Sequence, residues 1–319
     1  MNTEAKPIKE LRIVFLGTPD FAVSSLAALL DAGCNIVAVV TSVDKESGRG
    51  LKMHRSAVKE FALQKGLKIL QPDKLKDSDF LRDLRTCDAD LQIVVAFRML
   101  PEVVWNMPKY GTINLHASLL PQYRGAAPIN WAIINGEIQT GVTTFKLQHQ
   151  IDTGDILLQE VVAIGEDETA GELYETLKKT GAELLVKTIL QLAANRLNKV
   201  SQSSLTIQPG QSNQLKAAPK IFAETCQIDW SKPVNETYNL IRGLSPSPGA
   251  FTLINGKHFK ILRAKKNITP PLSPNFYRTD GKTYLQFRCA DGYLEALEVQ
   301  LEGKRRMMIP DFLRGYNFE

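Results

Sequence analysis

The sequence predicts an α/β architecture: a Rossmann-like domain over residues 1–200, a linker over 201–218, and a smaller OB-like β-barrel domain over 219–319. Three observations carry this. Apolar runs at Leu11–Leu16, Asn35–Thr41 and Leu91–Ala96 alternate with segments of helical periodicity, as strands buried on both faces of a parallel or mixed sheet require. Residues 198–219 are rich in Ser, Gln, Asn and Pro and carry no period, which marks a connector. Beyond them, short strand-like runs follow one another between Gly or Pro turns, the pattern of a small barrel.

Bulk properties bound the function classes. A chain of 319 residues with 44% hydrophobic and 23% charged content has enough apolar residues for a real core. No apolar run reaches the length of a membrane span, and the N-terminus shows no signal peptide, so a cytoplasmic protein is expected. Cys34, Cys87, Cys226 and Cys289 are widely spaced and form no C-x-x-C pair; they read as buried small hydrophobes, and neither a zinc site nor a disulfide frame is expected. Net charge is +5, of which residues 209–319 contribute +6 and residues 1–208 contribute −1. Such asymmetry is one footprint of a nucleic-acid partner, although solvated surface lysines produce it too.

The elements follow in order. Leu11–Leu16 is a strand that turns at Gly17-Thr18-Pro19-Asp20 into a helix over Phe21–Leu30. This opening belongs to nucleotide-type folds, but the G-x-G-x-x-G fingerprint is absent and a dinucleotide site is not supported. Asn35–Thr41 is the second strand, at a spacing that suits a right-handed crossover. Thr41–Arg55 reads as a long polar loop bearing Lys45, Arg49, Lys52 and Arg55. Such a loop is either solvated surface or a segment that orders on a phosphate backbone. Helices are predicted over Ser56–Lys65, stopped by Gly66, and over Asp77–Arg85, with short strands at Leu67–Leu70 and Leu91–Ala96 and a helix beginning at Pro101. Thr140–Leu147 and Ile156–Val162 read as strands, and Glu168–Asn198 as helix split near Gly181. In the second domain a helix over Val234–Gly243 precedes strands at Ala250–Leu253, Lys257–Ala264, Thr283–Arg288 and Tyr293–Leu301.

The chain is organised around Gly111–Pro128, GTINLHASLLPQYRGAAP. Strand period puts Asn114, His116 and Ser118 on one face. An amide and an imidazole at i and i+2, just past a strand end, can converge on one carbonyl oxygen that is gaining charge. Asp152, in Ile151-Asp152-Thr153-Gly154-Asp155, lies close enough in the chain to orient that histidine; a turn built by the two aspartates accounts for Asp155. An isolated Asn-x-His is more often incidental, and the residues after it make the difference.

Asn114-Leu115-His116-Ala117-Ser118-Leu119-Leu120-Pro121-Gln122-Tyr123-Arg124-Gly125-Ala126-Ala127-Pro128 resembles the signature of the folate-dependent formyltransferases. Asp152-Thr153-Gly154-Asp155 resembles that family's second motif. Gly17-Thr18-Pro19-Asp20-Phe21, Gly48-Arg49-Gly50 and Ile228-Asp229-Trp230 resemble its members that act on methionyl initiator tRNA. The resemblance implies a formyl transfer from 10-formyltetrahydrofolate to the methionyl α-amine of initiator tRNA, without a metal. It implies a catalytic trio of Asn114, His116 and Asp152, and a folate-binding turn of Ser118, Leu119, Leu120 and Pro121. It places Arg49, with Lys52 in the same loop, at the tRNA acceptor end, and gives the OB-like domain to tRNA. A monomer is expected. Alternatives are a formyltransferase acting on a small amine such as glycinamide ribonucleotide, a formyltetrahydrofolate hydrolase, and a non-catalytic tRNA- or folate-binding protein. Two departures stand out. Phe97-Arg98 replaces a usual Tyr-Gly, so the Arg98 side chain is expected to point away from the pteridine pocket. Val43-Asp44-Lys45 replaces Pro-Asp-Arg, and Leu51 a common lysine.

Overall fold

The structure is a computed structural model that describes residues 6–47, 52–205, 215–271 and 274–316. Its main elements are β1 (Arg12–Gly17), α1 (Asp20–Asp31), β2 (Asn35–Val40), α2 (Ala57–Gln64), β3 (Ile69–Leu70), α3 (Ser78–Arg85), β4 (Leu91–Val95) and α4 (Glu102–Trp105). There follow β5 (Thr112–His116), α5 (Pro128–Ile134), β6 (Gln139–Lys146), β7 (Ile156–Ala163) and α6 (Ala170–Ala193). The remainder is α7 (Val234–Leu244), β8 (Ala250–Ile254), β9 (Lys257–Asn267), β10 (Tyr277–Thr279), β11 (Leu285–Arg288) and β12 (Tyr293–Leu301).

The chain forms two compact units, and neither is contiguous. One comprises Met1–Arg124, Gly141–Val162 and Glu175–Lys216; the other comprises Gly125–Thr140, Ala163–Tyr174 and Ala217–Glu319. Two segments that precede residue 200 in the chain, Gly125–Thr140 and Ala163–Tyr174, pack into the second unit.

The larger sheet has seven strands in the order β7-β6-β5-β4-β1-β2-β3. Strands β1 to β5 pair in parallel, and β6 runs antiparallel to β5. The mixed sheet agrees with the apolar runs: Ile13, Val14, Phe15 and Leu16 are fully buried, as a strand covered on both faces demands. Ser56 caps α2 by accepting the Lys59 amide, and Asp77 caps α3 by accepting the Asp79 and Phe80 amides. Two expectations are corrected. Thr41–Arg55 is not wholly loop, because Lys45–Ser47 and Lys52–His54 pair as an antiparallel ribbon. Helix α6 is not split at Gly181; a Cβ there would lie 2.9 Å from Leu115 Cδ2, so the glycine lets the helix approach β5 and does not break it. Helix α5, opened by Pro128 at a tolerated position, was not anticipated.

The second unit is built on an antiparallel sheet in the order β8-β9-β12-β11-β10, with Met307–Met308 pairing on β12. Phe259, Phe287, Leu294 and Val299 from the sheet and Ile241 and Leu244 from α7 make its core. Trp230 stacks on Phe287 at 4.6 Å. Helix α5 lies on α7, where Asn130 donates to the Gly243 carbonyl at 2.8 Å. The buried Arg242 donates to the Gly165 and Glu168 carbonyls, which fixes the start of α6 in this unit. All four cysteines are buried. No described helix is long and apolar enough to cross a membrane.

Candidate active site

The predicted trio draws on β5 and on the turn that follows β6. Asn114 pairs across from Phe145 and His116 from Thr143, so both side chains leave β5 on one face near its carboxyl end. Ligands of open α/β sheets gather at such ends. The Asn114 side chain has no hydrogen-bond partner among the described residues and is half-buried. His116 is 8% exposed, and its Nδ1 lies 4.0 Å from Oδ2 of Asp152, whose side chain is 11% exposed. On the other side of the ring, His116 Nε2 lies 2.9 Å from the carbonyl oxygen of Tyr123. A carbonyl only accepts, so Nε2 carries a hydrogen and Nδ1 is the nitrogen that faces the carboxylate.

Asp152 sits at φ +53 and Tyr123 at φ +59, left-handed conformations that Asp tolerates better than most residues. The Gly154 that follows is dictated by space, since a Cβ would lie 1.6 Å from the Lys146 carbonyl oxygen. The DTGD turn is thus closed by a backbone approach that only glycine permits.

The turn Ser118–Pro121 is held from below. Ser118 Oγ donates to the Gln122 carbonyl at 2.6 Å, so the hydroxyl secures the turn itself. Thr143 Oγ1 donates to the Ser118 carbonyl at 2.6 Å and accepts from the Leu120 amide and from Gln159 Nε2. Gln159 also donates to the Leu120 carbonyl at 2.9 Å. Gly141 leaves room for Leu119, whose Cδ2 would lie 2.5 Å from an added Cβ. The Leu120–Pro121 peptide is cis.

Sequence reasoning missed Thr143, Gln159 and Gln202. The first two sit in strands where nothing marks them as different from their neighbours. The third lies in the polar stretch read as linker, and composition gives no sign of where it docks. Gln202 is 5% exposed and donates Nε2 to the Asp152 and Gly154 carbonyls, at 2.9 and 2.8 Å. Its Oε1 accepts from Arg124 Nε at 3.1 Å.

Of the remaining expectations, Arg98 turns to the Pro72 and Asp73 carbonyls and is held there. Lys52 lies in the short ribbon, though its side chain, like Arg49 as a whole, is outside the described residues. Asp44, beside that ribbon, receives Lys59 Nζ at 2.6 Å and Gln71 Nε2 at 2.9 Å. The Lys59 hydrogen bond, and then the Gln71 one, hold its carboxyl below the usual range. Among the described residues no group of three or more His, Cys, Asp or Glu gathers as a metal site would need.

The chain is similar to known proteins over nearly its whole length. A profile described as Formyl transferase matches residues 11–189, and one described as Formyl transferase, C-terminal domain, matches residues 220–317. A Methionyl-tRNA formyltransferase of Phocaeicola vulgatus is 51% identical over 315 residues, 97% of this chain and 96% of its own. One of Parabacteroides distasonis is 50% identical over 318 residues, with the same two coverages. Among solved structures, the sugar 3N-formyl transferase WlaRD, crystallised in the presence of dTDP and 5-N-formyl-THF, superposes with a TM-score of 0.64. Its identity is 21%, over 92% of this chain and 99% of that one; at that identity the likeness speaks for the fold.

Proposed function

This chain belongs to the formyl transferase family, and on that premise we propose that it transfers the formyl group of 10-formyltetrahydrofolate to the α-amine of methionyl initiator tRNA. The full-length relatives of that name carry the reading, and the surroundings of His116 support the roles assigned to its residues. Asn114 donates an amide hydrogen to the formyl oxygen as attack turns it into an oxyanion. His116, protonated at Nδ1, adds positive charge beside it. Asp152 holds the imidazole and takes the proton that the amine loses as the new N–C bond forms. The bond from carbon to N10 then breaks, and N10 receives a proton in return. The turn Ser118–Pro121 presents its backbone to the pterin. Arg49, Lys52 and the basic domain over 219–319 grip the tRNA phosphates, a sequence-independent attraction that salt weakens. In this reading the enzyme works in the cytoplasm as a monomer, and sedimentation of the purified chain tests the oligomeric state.

The test of the activity uses purified chain, 10-formyltetrahydrofolate and four acceptor conditions: charged initiator tRNA, charged elongator tRNA, glycinamide ribonucleotide and none. Formylation of the initiator tRNA well above the other arms is expected. Preferred formylation of the ribonucleotide, or formate release without an acceptor as the main reaction, would overturn the reading.

A further inference from the structure

The segment after α6 docks on the candidate active site at two places. Val200 exchanges both backbone hydrogen bonds with Ile156, at 2.8 and 2.9 Å. Leu205 packs against Leu120, Phe145 and Ile156. Between them, the short helical turn Gln202–Ser204 delivers the buried Gln202 amide to the Asp152 turn. Farther on, the Lys216 carbonyl accepts from the Tyr123 amide at 2.7 Å, and the Lys216 amide donates to Gln122 Oε1 at 2.8 Å. The two anchors therefore hold the two residues that flank His116: Asp152 on its Nδ1 side and Tyr123 on its Nε2 side.

We propose that Gln202 is a positioning residue that holds the left-handed Asp152 turn, and through it the Asp152 carboxylate, against His116, so that a stretch which reads as connector is part of the catalytic scaffold. This rests on the formyl-transfer reading above. Both amide hydrogens of Gln202 end on main-chain carbonyls of that turn, and its oxygen is taken by Arg124, the neighbour of Tyr123. No other side-chain chemistry of this size supplies two donors and one acceptor at once. Asp152 stands in the left-handed backbone region, which Asp tolerates better than most residues but which still has a cost that hydrogen bonds to the turn offset. Without the two donors the turn is free to relax, and a displacement of an ångström at a reacting group costs on the order of 100-fold in rate.

The experiment compares Gln202→Leu and Gln202→Glu in the wild-type and Asp152→Asn backgrounds. Glu keeps an acceptor for Arg124 and has nothing to donate to the carbonyls, so both variants are expected to lose about 10–100-fold in kcat, with both KM values within about twofold. In the Asp152→Asn background the same changes are expected to cost less than about twofold, because the group through which Gln202 acts is already altered. Equal losses in the two backgrounds, an unchanged kcat, or an effect on KM alone would overturn the proposal. Wild-type turnover is measured first, with charged initiator tRNA and with glycinamide ribonucleotide; failure there counts against the assigned reaction and not against the scaffold. The ¹⁵N shifts of the His116 ring read the positioning without turnover. They are expected to move in Gln202→Glu, and ring shifts identical to wild type would sink the idea whatever the acceptor.

Discussion

At position 114 an amide stands beside an imidazole with no partner of its own among the described residues, and at position 152 a carboxylate is held within 4.0 Å of that imidazole. On the proposed roles, removing Asn114 would deprive the oxyanion of a donor, and removing Asp152 would take away the carboxylate that faces the ring. Asn114→Ala and Asp152→Ala are each expected to lower kcat by roughly 10²–10³, with much smaller changes in KM. Steady-state kinetics with both substrates checks this, and a near-normal kcat would remove that residue from the mechanism. His116 was legible because strand alternation set it beside Asn114. Its Tyr123 partner was not, since a carbonyl seven residues along the chain reaches the ring only through a turn that no composition marks.

Among the elements, the start of α6 makes the clearest prediction. Thr169 accepts from the Glu172 amide, and Glu172 accepts from both the amide and the hydroxyl of Thr169, a reciprocal capping box. Arg263 donates to the same carboxylate at 2.6 Å. The Thr169 amide, the Arg263 guanidinium and the Thr169 hydroxyl bring the Glu172 carboxyl down to about 2 from an ordinary 4.5. A depressed carboxyl stabilises the folded state fully above its unfolded pKa. That contribution is lost as pH falls from about 4.5 towards 2. Glu172→Gln should flatten the acid limb of a stability–pH curve in that window, and Thr169→Ala should cost about 1 kcal/mol at neutral pH. Urea titrations across pH measure both. The buried strands were open to reading in the sequence, because their composition reports burial on two faces; the T-x-x-E pattern at Thr169–Glu172 went unread. Gly181 misled because the same residue that breaks a helix also allows close packing, and only its neighbours Leu115 and Val142 tell which applies.

For the whole molecule the excess positive charge is the relevant quantity. Lys304 and Arg305 are exposed after β12. If the second unit contributes to tRNA binding, Lys304→Glu with Arg305→Glu should raise the KM for tRNA several-fold and leave kcat and the KM for the formyl donor near wild type. Raising salt from about 50 to 200 mM should act in the same direction. The order in which the units arise has a consequence for synthesis. The first unit is not complete until Lys216 has left the ribosome, while pieces of the second, Gly125–Thr140 and Ala163–Tyr174, emerge earlier and wait for their sheet. The two halves therefore cannot mature as successive beads on a string, and a gene fragment encoding only residues 219–319 should yield an aggregation-prone product, lacking the helix that α7 needs against its exposed side.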